Sequence, residues 1–373
     1  MKHNILHINS NFNQSNIHYE LTSAFNNEEH VDGRVFFPSI KRGEIKDFNK
    51  AEYNNAEFVD RIYCLQPWEK YFFYARNYHM YKEVLKKYEI EKFNYIIAHS
   101  LFSNGNLALT LKKKFKIKYM VIVKNTDVNS YFKKRFLLRK KGIEILKNAD
   151  LIVFSSEAYK NLVVEKYIPT KEKENIIKKS LVIPFGINEF WLKNSYQRKP
   201  IKITDRNLKI LYVGKINKNK NIELTAKVCQ RLIEKNINIQ FSVVGECNDN
   251  DLKERLMKYK FLNIYPYSSL ESILNYYREN DIFIMPSIYE SFGLVYAEAL
   301  SQSLPIIYTK GQGFDGHFPN GFVGCAVDSS SEDELEEAIR YVINNYENLS
   351  INAYNSRMKF SWESVARTVL EMI

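Results

Sequence analysis

Short apolar runs without polar alternation recur along the first half of the chain, at residues 5–8, 95–98, 119–123, 151–154 and 181–184. Strands covered on both faces read this way, because neither side needs polar positions. Between them the apolar positions take a helical period, over 106–115 and 132–147. A polar stretch, 195–207, holds little apolar content and contains Arg198-Lys199-Pro200. Beyond it the pattern restarts, with strand-like runs at 208–213, 239–244, 261–265, 281–285 and 305–308 and a helical stretch over 222–235. The last segment, 351–373, reads as helices that turn Trp362 and Val365 toward a core. Strand–helix alternation at this spacing predicts parallel α/β sheets with helices on both faces. A chain of 373 residues exceeds one ordinary core, so two such domains are expected, 1–194 and 208–350, joined by the linker 195–207.

Candidate chemistry falls just after predicted strands, where ligands of open parallel sheets sit. The strand ending at Pro286 runs through Ser287-Ile288-Tyr289-Glu290 into the turn Ser291-Phe292-Gly293, and a helix is expected from about Gly293, carrying Leu294 and Glu298. Unpaired N–H groups and the dipole of a helix start make an anion site. Two glutamates at this spacing also occur at Glu20/Glu28, Glu83/Glu91 and Glu271/Glu279. The strand–turn–helix context, not the spacing, therefore carries the signal. The strand 208–213 runs into Gly214-Lys215-Ile216-Asn217-Lys218-Asn219-Lys220-Asn221, whose Lys215 and Lys220 are placed to neutralise a diphosphate. His99 follows another strand, and Lys124-Asn125-Thr126-Asp127 the next. Ser15 and Asn16, in the loop after the first strand, are weaker candidates for phosphate donors. Asp249-Asn250-Asp251 spells a metal-binding D-x-D but reads as a loop or helix cap.

From Leu208 to Asp328 these elements, in this order, resemble the retaining, nucleotide-sugar-dependent glycosyltransferases of family 4. Glu290 and Glu298 match the family's Glu-x7-Glu motif, Gly214 to Asn221 its Gly-Arg-Leu…Lys-Gly segment, and Ser303-Leu304-Pro305-Ile306-Ile307 its Gly-x-Pro-Val-Val strand. In the first half, Ile183-Pro184-Phe185-Gly186-Ile187-Asn188 and Lys124-Asn125-Thr126-Asp127 are similar to further family segments. The departures are Lys215 in the Arg place, Asn221 and Ser303 in Gly places, Lys124 in the His place, and a first loop without glycine. The resemblance implies a GT-B architecture: two Rossmann-like parallel-sheet domains facing a cleft, the first binding the acceptor, the second the nucleotide-sugar, and the helices of 351–373 crossing back to the first. It implies a UDP-sugar donor, with Glu298 on the ribose hydroxyls and Glu290 on the transferred sugar. Backbone N–H groups across Ser291, Phe292, Gly293 and Leu294 would meet the phosphate, with Lys215 and Lys220 beside it in place of a metal. His99, Lys124 and Asp127 would face a saccharide or lipid-linked acceptor, His99 and Asp127 with Glu290 as the catalytic candidates. No cofactor is expected. Lys310-Gly311-Gln312-Gly313-Phe314-Asp315-Gly316, expected as a closing loop, is similar to capsule, O-antigen and teichuronic-acid enzymes of the cell envelope. The competing classes are a non-catalytic nucleotide- or RNA-binding protein and a GT-B epimerase or phosphorylase. A dehydrogenase is disfavoured because no G-x-G-x-x-G follows a strand.

Charge adds a partner. Residues 1–200 carry 35 Lys+Arg against 21 Asp+Glu, and 101–150 alone carry 13 against 3, while 201–373 hold 19 against 22. The basic segment 133–141 interleaves Phe136, Leu137 and Leu138 with lysines and arginines, which suits a helix lying on an anionic membrane surface. Nucleic acid ranks below the membrane because no RNP, KH, helix-turn-helix or zinc-finger pattern accompanies it. No run of 18 apolar residues is present and the start lacks a signal-peptide core, so a cytoplasmic protein, peripheral on the inner membrane face, is expected. Cys64, Cys229, Cys247 and Cys325 form no C-x-x-C pair and read as reduced core thiols.

Overall fold

The computed structural model describes residues 2–40, 56–198, 208–267 and 269–373. Thirteen strands among them form two sheets, and every pairing is parallel. The first holds β1 (His3–Ile8), β2 (Val31–Ile40), β3 (Val59–Leu65), β4 (Tyr95–Ala98), β5 (Lys118–Val123), β6 (Leu151–Phe154) and β7 (Ser180–Val182), in the order β3-β2-β1-β4-β5-β6-β7. The second holds β8 (Leu208–Val213), β9 (Ile239–Val244), β10 (Leu262–Tyr265), β11 (Ile282–Met285), β12 (Ile306–Thr309) and β13 (Gly324–Val327), in the order β10-β9-β8-β11-β12-β13. Both are doubly wound, and each reverses its strand order once: between β1 and β4, and between β8 and β11. The crevice outside the carboxyl ends of those two strands is where such sheets take ligands. The fold is the two-domain, Rossmann-like GT-B architecture.

The first unit comprises Met1–Gly186 and Trp362–Ile373, the second Ile187–Ser361. This division differs from the expected one at both ends. Residues 187–198 belong to the second unit because Trp191 packs its ring edge-on against Tyr277 and the Arg198 guanidinium donates to the carbonyls of Tyr277 (2.7 Å) and Arg278 (3.0 Å). Residues 199–207 of the expected linker lie outside the described residues. At the other end, only the helix Trp362–Leu370 joins the first unit. Its Val365, Ala366 and Val369 enter a core with Ile5, Leu21 and Phe25, and the Trp362 indole donates to Glu20 at 2.7 Å. The helix Tyr346–Ser356 stays with the second unit, where Ser350 Oγ donates to the Ser303 carbonyl.

The helix expected over 132–147 is broken. A π-helical turn, Asp127–Phe132, and a 3-10 turn, Phe136–Leu138, precede the helix Arg139–Asn148. Arg139 holds the break closed by donating to the Phe132 carbonyl at 2.6 Å. The basic segment is therefore a loop leading into a helix rather than a continuous surface helix. Asp249 caps the helix Asn250–Leu256 by accepting from Leu252 N–H at 3.0 Å, and Asp251 lies in the helix's first turn. Among the described residues no group of side chains could hold a metal ion, and no helix is long and apolar enough to cross a membrane. All four cysteines are free thiols.

Candidate active site

In the second unit the loops after β8 and β11 meet at the point of strand reversal. The 3-10 turn Lys218–Lys220 follows β8, capped by the Asn217 side chain. Asn219 stitches it to the β11 loop: its amide donates to the Tyr289 carbonyl (2.9 Å), its side-chain oxygen accepts from Tyr289 N–H (3.1 Å), and its carbonyl accepts from Ile288 N–H (2.8 Å). Asn221 stands at φ +57°, in the left-handed region that asparagine tolerates better than most side chains. Its amide ties the carbonyls of Pro286 and Ser329 together. Ser303, the other glycine replacement, also sits left-handed at φ +62°, where its hydroxyl donates to the Tyr196 carbonyl.

This stitching brings Lys220 to Glu290. The ammonium lies 2.6 Å from Glu290 Oε2, and Oε1 accepts from Ser291 N–H at 2.9 Å. The glycine-rich loop holds the same segment from the other side, with Gly313 N–H on the Glu290 carbonyl and Gln312 Oε1 taking Glu290 N–H, both at 3.0 Å. A side chain at Gly313 would collide with the Ser291 carbonyl, so the close approach requires glycine. The helix Leu294–Ser301 starts from Gly293 at φ +82° with no side-chain cap. Tyr296 N–H turns back to the Gly293 carbonyl at 3.0 Å, and the Leu294 and Val295 N–H groups start the helix without a side-chain cap. The Phe292 ring packs in the core against Phe314, His317 and Phe360. Lys215 is exposed and has no ion pair among the described residues, so only one of the two expected lysines meets the Glu290 loop directly.

Glu298 lies on that helix. Its carboxylate accepts from the buried Tyr277 hydroxyl at 3.1 Å and from the Trp191 indole. Burial pushes its pKa up to about 7, against the lowering effect of these two donors.

The first unit carries a second polar cluster, outside β1 and β4. His99 follows β4, buried, and its Nε2 lies 3.1 Å from His7 Nδ1. His18, on the helix Asn16–Asn26, presents its ring edge-on to His99, and its Nε2 lies 3.3 Å from Lys124 Nζ. Burial holds all three imidazoles below their ordinary pKa and lowers the Lys124 ammonium to about 8. Sequence reasoning found His99 and Lys124 but missed His7 and His18. Strand position would have flagged His7, a polar residue inside an apolar run, whereas nothing marks His18 as more than a surface-helix residue.

Three expected site residues are engaged in the architecture itself. The Asp127 carboxylate accepts three main-chain N–H groups, from Leu101 (3.0 Å), Phe102 (3.2 Å) and Lys124 (2.9 Å). It fixes the loops after β4 and β5 to one another. Ser15 caps its helix by accepting from Ile17 N–H, and Asn16 is that helix's first residue.

Residues 194–359 match the family model described as Glycosyl transferases group 1, a span lying within the second unit. An uncharacterized glycosyltransferase of Methanocaldococcus jannaschii is 24% identical over 327 residues, 85% of this chain and 84% of its own. The capsular polysaccharide biosynthesis glycosyltransferase CapM of Staphylococcus aureus is 24% identical over 56% of each chain. The crystal structure of HepE from Anabaena, in complex with UDP, superposes with a TM-score of 0.67 at 13% identity, covering 100% of this chain and 99% of that one. The matched domain and the glycosyltransferase relatives make the chain a glycosyltransferase enzyme.

Proposed function

We propose that the chain transfers a glycosyl group from a nucleotide-sugar, first a UDP-sugar, to a saccharide or lipid-linked saccharide of the cell envelope, with retention of configuration and without a metal ion. The observation that carries this reading is the Lys220–Glu290 contact at the strand reversal, beside an uncapped helix start. An ammonium, a carboxylate and first-turn N–H groups are the complementary set for a diphosphate attached to a polyol. The diphosphate takes Lys220, Lys215 and the helix start; Glu290 accepts hydroxyls of the transferred sugar; Glu298 accepts those of the ribose. The leaving diphosphate gains charge as the sugar bond breaks, and the cations stabilise it there. The UDP in the HepE structure and the capsular role of CapM support the choice of donor and setting. The acceptor is assigned to the polar cluster of the first unit, around His99 and Lys124.

A membrane location is supported by a groove in the first unit. Tyr71, Phe72 and Tyr74 line it with Phe136 and Leu137, all exposed, and Lys134 and Arg135 flank them. Exposed aromatic and aliphatic side chains among cations suit the headgroup layer of an anionic bilayer.

The test is transfer by Glu290→Gln. The reading expects loss of sugar transfer from a panel of UDP-, GDP-, ADP- and TDP-sugars while calorimetric binding of UDP persists. Transfer at the wild-type rate would remove Glu290 from the mechanism.

A further inference from the structure

Two aromatic side chains that no ligand can reach hold the Glu298 carboxylate. Tyr277, on the helix Leu270–Glu279, donates its hydroxyl to Glu298 Oε2 at 3.1 Å, and the same hydroxyl oxygen lies 3.3 Å from the Val295 carbonyl. Trp191, on the helix Glu189–Lys193, donates its indole N–H to the same carboxylate. Tyr277 and Trp191 are buried and meet edge-on, with ring centroids 5.3 Å apart. Their backbones are braced as well. Arg198 donates to the Tyr277 carbonyl at 2.7 Å, and Gln302 Nε2 lies 3.5 Å from the Trp191 carbonyl. Val295 belongs to the first turn of the helix Leu294–Ser301, so a hydroxyl shared between its carbonyl and Glu298 keeps the carboxylate within about one turn, roughly 5 Å, of the helix start. An ionised carboxylate has about four acceptor sites. Tyr277 and Trp191 take two of them, which leaves two for a pair of hydroxyls.

We propose that Tyr277 and Trp191 are positioning residues which, by fixing the Glu298 carboxylate with two acceptor sites free, make the second unit select a ribonucleoside diphosphate over its 2′-deoxy counterpart. The inference rests on the reading that Glu298 meets the ribose, and it narrows the donor to ribonucleotide sugars, leaving TDP-sugars out. Neither aromatic touches the ligand; both act through Glu298. Their second effect is on charge. Burial raises the Glu298 pKa to about 7, and the two donors are what opposes it. Losing either donor moves the carboxyl toward its neutral form, which accepts fewer hydrogen bonds. A 2′-deoxyribose leaves one acceptor site of the carboxylate unmet, and a site built around a hydroxyl rejects the analogue without it.

The experiment is isothermal titration of the full chain with UDP and with 2′-deoxy-UDP at fixed pH, for the parent, Tyr277→Phe, Trp191→Phe, Glu298→Gln and the double variant Tyr277→Phe/Glu298→Gln. Each aromatic substitution keeps a ring in place and removes one donor. The parent should bind UDP about tenfold or more tighter than 2′-deoxy-UDP. Tyr277→Phe and Trp191→Phe should each narrow that ratio by about threefold or more, because UDP loses more than its 2′-deoxy form. On the Glu298→Gln background, Tyr277→Phe should change the ratio no further, since the two residues act as one unit. A ratio kept at the parent value in either folded aromatic variant, whether or not overall affinity falls, assigns that side chain to the scaffold and overturns the proposal. Further narrowing on the Glu298→Gln background overturns it too, because the effect would then bypass the carboxylate. If one aromatic variant fails to fold, the other decides. Failure of the ribose reading shows in the parent alone: equal binding of the two nucleotides there takes Glu298 off the ribose and removes the proposal with it.

Discussion

Lys220 Nζ and Glu290 Oε2 are 2.6 Å apart although 70 residues separate them in sequence. The pair is three-quarters or more buried, so its Coulomb attraction is less screened than that of a surface bridge. It also pre-empts the diphosphate, because the ammonium must be shared when a second anion arrives. Lys220→Met should therefore weaken UDP binding by about tenfold or more, while Glu290→Gln, which frees the ammonium, should bind UDP at least as tightly as the parent. Isothermal titration with UDP measures both. Equal losses in the two variants would mean that the pair serves folding rather than ligand binding.

The raised pKa of Glu298 has a consequence for stability. The folded state keeps its proton up to about pH 7, whereas the unfolded carboxyl releases it near 4.5. The contribution of this group is intact below pH 4.5, declines as pH rises through about 7, and is constant above. Glu298→Gln removes this decline, and its advantage over the parent should grow by roughly 1–3 kcal/mol between about pH 5 and pH 8. Urea unfolding at the two pH values provides the check. An unchanged pH slope in the variant would contradict the assignment.

Much of this molecule was legible from apolar periodicity. Buried parallel strands such as β4, β5, β6 and β11 announce themselves as unbroken apolar runs because both faces are covered. β2 and β3 were not found. Gly33, Arg34 and Pro38 interrupt the first, and Pro38 is tolerated because the ladder to β1 ends at Phe36. Asp60 and Arg61 interrupt the second, which lies at the sheet edge. The site was legible as segments, since glycine, lysine and glutamate follow strands in a fixed order. Its pairings were not. Nothing in the spacing says that Lys220 meets Glu290, that Asp127 is consumed by three N–H groups, or that Glu298 rests on Tyr277. Those follow from the register of β8 and β11 and from helix contacts.

Gly313 is a packing constraint on the active site. A methyl group there runs into the Ser291 carbonyl, so Gly313→Ala must displace the loop that carries Glu290. The expected outcome is a loss of about tenfold or more in kcat/KM with a melting temperature lowered by only a few degrees, on the order of 1 kcal/mol. Wild-type kcat/KM in this variant would show that the clamp between the two loops is dispensable.

The exposed pair Phe136 and Leu137 should act in membrane attachment. Phe136→Ser/Leu137→Ser is expected to reduce sedimentation with phosphatidylglycerol vesicles by about tenfold or more, and added salt should weaken binding of the parent. Equal co-sedimentation of parent and variant would exclude this groove as the lipid contact.

The claim on which the rest stands is that the loops after β8 and β11 together grip the nucleotide diphosphate. Hydrogen–deuterium exchange of the full chain, with and without UDP, tests it most directly. Slowed exchange concentrated in residues 214–221 and 288–298 is the predicted result. Protection confined to other segments, or none at a UDP concentration that stabilises the chain, would contradict it.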